Sequence, residues 1–405
     1  MEREEQGESH KFLELNKKTL FRLERNDPGV VNLKVQKDSW IEGTGRAIGK
    51  CLYLFRISIT LFGSEEETWF HELFHGLARN RTIQWLSLSI EDRFPNVDVL
   101  HNLFPFFDHN HKLRHFAFSN FTLPHCNSLV LALKKSKNLE CVRFTMLGDI
   151  DNEAGAALFD SLYDHHNLLS LALIDSPIGK RGCESLARLI RSPASKLRDL
   201  VLYNIGLDDG CVAVLANAIS MNTTLRELNF SSNGNASSNK SWGAFFSKVF
   251  SNPNCGLRTV IFHRNGRGDE AISRLGDALT VNKTVTSLDL SVNRQMTNAG
   301  CKQFLKCLKQ LHSVLEILDI DSCHVDTETV LAIVMALKCN LGLKKMFIKE
   351  MNDRFDMGKV WDAFSGVLCN TSSIEATYFS HHALQGIEIG FFNPGSITGW
   401  STVRA

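Results

Sequence analysis

The chain has 405 residues, and its 45 Lys and Arg nearly balance its 44 Asp and Glu. This balance excludes the strong overall field that draws a protein to nucleic acid or to an anionic membrane, so electrostatic recognition has to come from local patches. No run approaches the roughly 20 apolar residues of a membrane span, and the charged N-terminus lacks the apolar run of a signal peptide. We therefore expect a cytoplasmic protein with reduced cysteines.

The chain begins with a polar lead. Residues 1–10 are charged and predict a disordered segment, and Lys11 to Arg25 can form a short amphipathic helix. The apolar residues of that helix are Phe12, Leu15, Leu20 and Leu23. We expect residues 1–27 to be this lead and an N-terminal capping helix.

A repeat follows the lead. The clearest copy is the stretch from Leu225 to Asn233, whose apolar positions follow L-x-x-L-x-L-x-x-N, the signature of a leucine-rich repeat. From Leu139 onward the copies are 28 to 32 residues apart, and the first four copies are the most degenerate. The first apolar position of each copy, its anchor, is Val30, Leu54, Ile83, Leu113, Leu139, Leu168, Leu197, Leu225, Leu257, Val285, Leu315, Leu343 and Ile374.

Each copy predicts one strand and one helix. Alternating apolar positions such as Leu171 and Leu173 predict the strand, and a stripe with spacing three and four, such as Cys183, Leu186 and Ile190, predicts the helix. One copy cannot bury both apolar faces alone, so neighbouring copies must stack. The predicted fold is an α/β leucine-rich repeat solenoid, or horseshoe, with parallel strands on the concave face and α-helices on the convex face.

Long copies with a full helix resemble the ribonuclease-inhibitor-like subfamily of leucine-rich repeat proteins. The strand-to-helix loop from Asp175 to Leu186 is similar to that of the subfamily. The resemblance covers about residues 28–380, which we expect to be one repeat domain of 12–13 copies, followed by a C-terminal cap or tail over 381–405. It implies the fold and leaves the function open, because the subfamily serves many unrelated partners.

Two short motifs suggest chemistry and are better explained by the repeat. His71 to His75 reads H-E-x-x-H, a zinc motif, but Leu73 and Leu77 form the buried stripe, so both His are expected on the solvent side without a surrounding cleft. The stretch from Gly43 to Cys51 resembles a phosphate loop, but the spacing of its glycines is wrong. Cys51 also stands where a phosphate loop has the Ser or Thr that binds magnesium. We predict no metal, no cofactor and no catalytic residue.

Asparagine-rich features leave two alternatives open. Asn80, Asn222, Asn282 and Asn370 are sequons that share one repeat position just after the helix, and we interpret them as left-handed helix caps rather than glycan acceptors. The Ser/Asn-rich stretch 231–241 lengthens its copy to 32 residues. It is either a partner-contacting loop or a tolerated insertion.

The strand residues between the apolar anchors should face outward and form the binding surface. Three zones are predicted: an apolar patch, an acidic patch and a basic rim around an aromatic ring, with two further charged residues. The candidate partner-binding residues are Ile174, Val201 and Tyr203 (apolar); Asp289, Asp319 and Asp321 (acidic); Lys345, Phe347 and Lys349 (basic rim); and Arg143 and Glu227. The alternative is that these are ordinary solvated strand residues.

These features favour a non-catalytic scaffold that binds a protein partner on its concave face. No nucleic acid, membrane or small-molecule substrate is indicated. The alternative is a regulator of a small GTPase, on the resemblance to Ran GTPase-activating proteins, although the long acidic tail of that family is absent and its catalytic arginine has no match here. A ribonuclease inhibitor proper would need a strongly acidic face.

Overall fold

The structure is a computed structural model. It describes residues 12–36, 39–61, 68–90, 99–121, 126–147, 152–234, 237–310, 313–323, 325–338, 340, 342–349, 356–368, 384–392 and 400–404. Over these residues strands and helices alternate along the chain. The chain divides into two compact units, Met1–Leu197 and Arg198–Ala405.

In the first unit every strand lies parallel to its neighbour in chain order. The strands are β1 (Leu13–Glu14), β2 (Asn32–Gln36), β3 (Arg56–Leu61), β4 (Trp85–Ile90), β5 (His115–Phe121), β6 (Cys141–Leu147) and β7 (Ser170–Ile174). The helices are α1 (Lys17–Glu24), α2 (Thr44–Lys50), α3 (Thr68–Arg79), α4 (Phe104–His109), α5 (Cys126–Lys135), α6 (Asn152–Leu162) and α7 (Gly179–Arg191). A 3-10 helix, Val99–Leu103, precedes α4.

The second unit repeats this alternation. Its strands are β8 (Asp199–Tyr203), β9 (Glu227–Asn229), β10 (Thr259–Ile261), β11 (Ser287–Asp289), β12 (Ile317–Asp319), β13 (Lys345–Lys349), β14 (Gly386–Phe392) and β15 (Trp400–Arg404). All neighbours from β8 to β14 are parallel, and β15 pairs antiparallel with β14. The helices are α8 (Asp209–Met221), α9 (Asn239–Phe250), α10 (Asp269–Val281), α11 (Asn298–Leu308), α12 (Thr327–Leu337) and α13 (Met357–Leu368).

The two periodicities in the sequence account for these elements. In β4, Leu86, Leu88 and Ile90 are buried while the residues between them are half-buried, as a strand with one core face requires. In α7, Leu186 and Ile190 belong to the buried stripe, and the opposite side is exposed. The predicted α/β leucine-rich repeat architecture is confirmed. Across the described residues no helix combines the length and the apolar character needed to cross a membrane.

The N-terminal helix is shorter than predicted. It begins after Asn16, whose side-chain oxygen accepts the backbone N–H of Thr19 at 2.9 Å and so caps the helix. Leu13 and Glu14, predicted as helix, form strand β1 on the edge of the sheet, because β2 offers a row of backbone groups to pair with. The predicted disordered lead, residues 1–10, lies outside the described residues.

The last repeat copy starts later than predicted. The anchor Ile374 lies outside the described residues, and the next strand of the sheet, β14, begins at Gly386 and pairs directly with β13. In the other copies the strand begins two residues after its anchor, so Leu384 takes this place. Its neighbour Gln385 donates its backbone N–H to Lys344 O at 2.8 Å, which continues the ladder. Ile374 as the last anchor is therefore wrong, and the sheet runs past residue 380.

The asparagine that closes the repeat signature ties neighbouring copies together. The side-chain amide of Asn233 donates to the backbone oxygens of Leu202 at 2.6 Å and of Phe230 at 2.9 Å, one in the preceding copy and one in its own. Asn293 makes the same pair of bonds two copies later. Both side chains are buried. The signature residue therefore supplies hydrogen bonds that turn backbone would otherwise lack.

The sequon asparagines are structural, by a mechanism other than the predicted one. Asn222 and Asn282 end their helices with extended backbone, at ψ 131° and 139°, so the left-handed explanation is wrong. The amide of Asn282 instead donates to Phe250 O of the preceding copy at 2.9 Å. Asn80, Asn222 and Asn282 are at most 8% exposed, which leaves no room for a glycan. Asn370 lies outside the described residues.

The glycines of the stretch 43–51 serve helix packing. A Cβ on Gly76 of α3 would lie 1.9 Å from the backbone oxygen of Gly45 in α2, and a Cβ on Gly45 would lie 2.0 Å from the oxygen of Glu72. These two helices therefore touch backbone to backbone. The spacing that resembles a phosphate loop is explained by this contact.

Candidate partner-binding surface

The strands present one face to the core and a second face away from it, which we call the open strand face. In β8 the core-facing Leu200 and Leu202 have no exposed surface, whereas Asp199, Val201 and Tyr203 between them are half-buried. The same alternation recurs in β4, β9, β10, β11 and β12, whereas in β7 Ser170 and Ala172 are buried as well. The open strand face is where sequence analysis placed the binding residues.

In the second unit, nine of the predicted residues lie on strands or on the turn after a strand. Val201 and Tyr203 lie on β8, Glu227 on β9, Asp289 on β11, Asp319 on β12, Asp321 in the turn after β12, and Lys345, Phe347 and Lys349 on β13. Among those whose side chains are described, Glu227 and Lys345 are exposed and the rest are half-buried. The side chain of Lys349 lies outside the described part.

Strand register brings part of this set together. Asp289 pairs with Asp319, and Asp319 pairs with Phe347 on the next strand, so the acidic patch and the aromatic ring share one row across β11 to β13. Lys345 belongs to the neighbouring row. Adjacent strands are about 4.8 Å apart, so this row forms a compact acidic and aromatic surface.

Two of the predicted acidic residues accept hydrogen bonds within their own turns. The carboxylate of Asp289 accepts the backbone N–H of Ser291 at 2.8 Å and its hydroxyl at 2.5 Å. Asp319 accepts the backbone N–H of Asp321 at 2.9 Å. Asn229 makes the same turn with Ser231. An Asp or Asn at this position thus ends the strand, which is a structural reason for its presence.

In the first unit, Arg143 and Ile174 also lie on the open strand face. Arg143 sits on β6 between Ala117 and Ala172 of the neighbouring strands and is half-buried. Ile174 ends β7 and is half-buried as well. Val201 and Tyr203 belong to the second unit, so the predicted apolar patch is divided between the two units.

The first unit also carries a stacked group that sequence analysis missed. Trp85 of β4 stacks on His115 of β5, with ring centroids 4.9 Å apart and planes 16° apart. The guanidinium of Arg56, on β3, lies 4.3 Å from the centre of the Trp85 ring. The three residues occupy the same position in three consecutive copies, so aligning the degenerate copies by that position would have shown them as neighbours.

The Ser/Asn-rich stretch is held by a buried arginine. Arg267 is 3% exposed, and its guanidinium donates to the backbone oxygens of Asn265 at 2.6 Å and of Ser237 at 2.8 Å. The indole of Trp242 donates to the Ser237 hydroxyl at 2.7 Å. Asp209 of α8 accepts the backbone N–H of Ser238 at 2.6 Å, and this bond lowers the pKa of Asp209. The described part of the stretch is therefore an ordered insertion.

The HExxH motif faces solvent, and a groove adjoins part of the motif. His71 and His75 are exposed on α3, with Leu73 and Leu77 fully buried behind them. Glu72 and His75 line a groove of about 1120 Å³ on the helix side. The groove also contacts Glu24, Trp40, Glu42, Gly43, Arg46, Trp69, Gly76 and Arg79. Within the described ranges, no three His, Cys, Asp or Glu side chains converge as metal ligands would.

Buried thiols in the second unit are unreactive. Burial raises the pKa of Cys301, Cys307 and Cys323 to about 12, so these thiols stay protonated. The Cys307 thiol donates to Phe304 O at 3.0 Å and the Cys323 thiol to Leu290 O at 3.3 Å. They act as small core side chains.

Comparison with known proteins places the chain among leucine-rich repeat proteins. The mouse protein "NACHT, LRR and PYD domains-containing protein 5" is 25% identical over 243 residues, which is 58% of this chain and 20% of that protein. A Caenorhabditis briggsae "Protein phosphatase 1 regulatory subunit 37 homolog" is 26% identical over 189 residues, 45% of this chain and 20% of that protein. The chain thus matches about one fifth of the length of these curated relatives. No family model matches it.

A solved structure shares the fold. One chain in the crystal structure of the yeast Rad7 and Elc1 complex superposes with a TM-score of 0.53 and 19% identity, covering 84% of this chain and 85% of its own length. At this identity the likeness shows the fold alone. Together with the strand and helix alternation, it shows that the protein is a leucine-rich repeat protein.

Proposed function

We propose that this chain is a non-catalytic interaction module whose open strand face binds a protein partner. The observation that carries the proposal is apolar surface on that face: Val201, Tyr203 and Phe347 are only half-buried although the core beneath them is complete. Aromatic and aliphatic side chains flanked by charges are what the centre of a protein interface contains. The predicted binding residues stay a proposal.

The similarity to other repeat proteins supports the class of function. The names of the relatives describe a regulatory subunit and proteins with leucine-rich repeats, and the structural neighbour belongs to a complex of two proteins, Rad7 and Elc1. We also assign the chain to the ribonuclease-inhibitor-like subfamily, on helices of 11 to 13 residues in most copies of the second unit. A cytoplasmic location fits the protonated, buried thiols.

The test compares two matched triple variants. The strand variant is Tyr203→Asp, Glu227→Lys and Lys345→Glu, which spares the turn-forming Asp289 and Asp319. The control variant makes the same kinds of change on helices of the same unit, at exposed residues: Met221→Asp, Glu270→Lys and Lys302→Glu. Crosslinking mass spectrometry of the tagged chain in native lysate is the measurement.

We expect crosslinks from the open strand face to one partner in the wild type and in the control variant, which we call the helix variant. In the strand variant we expect these crosslinks to be lost. Equal melting temperatures of the three proteins establish that folding is unchanged. Retention of the partner by the strand variant, or its loss from the helix variant alone, would show that the helix side is the functional surface.

The alternative, regulation of a small GTPase, predicts a different result. The purified chain would then accelerate GTP hydrolysis by a Ran-type GTPase. The scaffold proposal expects the hydrolysis rate to be the same with and without the chain.

A further inference from the structure

The open strand face of the first unit has an uneven charge. Strands β2 to β7 have three residues each on this side of the sheet, of which Asn32, Thr60, Ser170 and Ala172 are buried: Asn32, Lys34, Gln36; Arg56, Ser58, Thr60; Trp85, Ser87, Ser89; His115, Ala117, Ser119; Cys141, Arg143, Thr145; Ser170, Ala172, Ile174. Three of these residues are cationic and none is a carboxylate. In a chain with almost no net charge, this is a local basic surface.

Two of the three cations have no acidic partner in the part of the chain that the structure describes. Lys34 is paired with Glu14 of β1, with its Nζ 3.3 Å from the carboxylate. Arg56 and Arg143 have no described carboxylate within ion-pair distance. The nearby Arg114 is paired with Glu140 at the edge of the face. The positive charge available to a ligand is therefore concentrated at Arg56 and Arg143.

Arg56 is held in place before any ligand binds. Its guanidinium lies over the Trp85 ring, and Trp85 is supported on its other side by His115, since β4 lies between β3 and β5. Stacking uses the flat face of a guanidinium and leaves its N–H edge for hydrogen bonds. Because the side chain is already ordered, an anionic group that binds it costs less conformational entropy.

One row of this face, next to the row of Arg56, carries small side chains, two of them polar. Ser58, Ser87 and Ala117 form the row that leads from Lys34 across to Arg143. Small side chains let the backbone of a ligand approach the sheet, and hydroxyl groups can donate to it or accept from it. Arg56 lies in the neighbouring row with Trp85 and His115, three strand steps of about 4.8 Å and two residues along the strand direction from Arg143, which makes about 16 Å in total. An extended peptide spans that distance with about five residues.

We propose that this face binds an extended acidic segment of a partner protein, with carboxylates about five residues apart on Arg56 and Arg143. The proposal rests on the proposed function, because it takes the open strand face as the partner surface and adds the chemistry of what binds there. A nucleic acid is disfavoured, because strong binding to it uses roughly six to ten phosphate contacts and this face offers two uncompensated cations.

The probe is a fluorescein-labelled peptide with two Glu-Glu pairs separated by Gly-Ser-Gly, and its matched control has Gln in place of every Glu. Binding to the full chain is followed by fluorescence anisotropy at low ionic strength. The variants are Arg56→Gln, Arg56→Lys, Arg143→Gln and the double variant. Arg191→Gln, an exposed arginine of helix α7, is the control for a lost surface charge.

We expect the Glu peptide to bind and the Gln peptide not to bind. Each Arg→Gln change should raise Kd by about fivefold to tenfold, and the double variant should abolish measurable binding. Arg56→Lys should give an intermediate Kd, because it keeps the charge and loses the planar stacked group. Arg191→Gln should leave Kd within about twofold, and added salt should weaken binding.

Several results would overturn the proposal. The proposal is wrong if the Glu peptide does not bind, or if the double variant binds it as tightly as the wild type does. It is also wrong if a short single-stranded oligonucleotide binds more tightly than the Glu peptide and this binding is lost in the same variants. If the peptide does not bind while the native partner still crosslinks to the strand face, the acidic segment is wrong and the interaction module stands. If strand-face crosslinks are also missing, both proposals are wrong.

Discussion

One side-chain position, three residues before the anchor, connects neighbouring copies by hydrogen bonds in several repeats. In several copies it is an asparagine, as at Asn80, whose amide donates to Ile48 O at 2.8 Å and to Cys51 O at 3.0 Å. In one copy it is His165, whose Nε2 lies 3.0 Å from Leu133 O. The carbonyl oxygen can only accept, so Nε2 carries the hydrogen. Histidine therefore substitutes for the amide donor.

We expect this substitution to make the copy sensitive to pH. His165 is 4% exposed, and its Nδ1 is buried with no hydrogen-bond partner within the described residues. Burial lowers the pKa of His165 below its usual value near 6.5, and the positive charge of Lys137 lowers it further. Protonation of Nδ1 would place an unsolvated charge between two copies.

We predict that the stability of the wild type falls in acid through this group. The folded pKa is depressed, so the unfolded chain binds more protons, and stability is lost as the pH falls below about 6.5 toward the folded pKa. In His165→Asn the bond to Leu133 O should survive and this component should vanish. The melting temperatures of the two proteins should agree within a few degrees at pH 8 and diverge at pH 5, the variant being higher.

The control for this prediction is His166→Asn, which removes an exposed histidine next in the chain. Its melting temperature should follow that of the wild type at every pH. If His165→Asn and the wild type lose stability in parallel from pH 8 to pH 5, the titration of His165 has no part in the acid sensitivity.

At the scale of the element, helix packing depends on where side chains are missing. Helices α2 and α3 approach so closely that the backbone oxygen of Gly45 occupies the place of a Gly76 side chain. Glycine lowers helix propensity, so its presence inside two neighbouring helices needs a packing reason. The contact supplies that reason.

We predict that Gly76→Ala destabilises the protein by about 2 kcal/mol or more, because a Cβ 1.9 Å from Gly45 O forces the two helices apart. Chemical unfolding followed by circular dichroism measures the change. Gly366→Ala in α13 is the matched control, because a Cβ there meets nothing within 4 Å.

The control should be neutral or should stabilise by about 0.5–1 kcal/mol, since alanine favours a helix over glycine. A Gly76→Ala protein as stable as the wild type would mean that α2 and α3 are further apart than the structure shows.

The two faces of each strand carry different kinds of residue. The core-facing residues are apolar. On the open strand face, some residues stabilise the fold and others are candidates for binding a partner. Asp289 accepts two hydrogen bonds in its own turn, whereas Arg143 has no described acidic partner. Of these two predicted binding residues, Arg143 is the better indicator of a ligand, because the hydrogen bonds of Asp289 already explain its presence in the fold.

At the scale of the whole molecule, stability comes from stacking copies on one another. Leu228 of β9 is 1% exposed and lies between Leu200 and Val260 of the neighbouring strands. No copy can bury its own apolar faces, so a fault in one strand removes support from both neighbours. A solenoid therefore depends on each layer of its core.

We predict that Leu228→Asp unfolds the second unit or destabilises it by more than about 4 kcal/mol, because it removes a core side chain and buries an unpaired carboxylate. Hydrogen exchange of strands β8 to β11 should lose protection. Glu227→Asp introduces the same residue at the adjacent, exposed position and should change stability by less than about 0.5 kcal/mol. Unchanged protection in Leu228→Asp would refute the repeat frame.

Most of the fold could be predicted from the sequence, and the errors occurred where local pattern was weak. Alternating leucines placed Leu200 and Leu202 in the core correctly. The short edge strand at Leu13 was predicted as helix, since an amphipathic pattern of so few residues fits either state. The last anchor was placed ten residues early for the same reason, in a copy whose apolar pattern had faded.

The sequence predicted the strand positions of the candidate residues but not the contacts between residues of different copies. The predicted residues lie where the strand pattern placed them, because a side-chain period of two decides which face of a strand a residue occupies. The stack of Arg56, Trp85 and His115 was missed, because each residue is unremarkable in its own copy. Their relation exists only across three strands.

The sequence by itself determined the repeat, the strands, the helices and the face that each residue occupies, because those features depend on neighbours within a few positions along the chain. Only the tertiary structure decided which residues meet between copies, such as Gly45 with Gly76 and Trp85 with His115. The physical reason is that these contacts join residues about one copy apart, and strand register and interhelix distance set them.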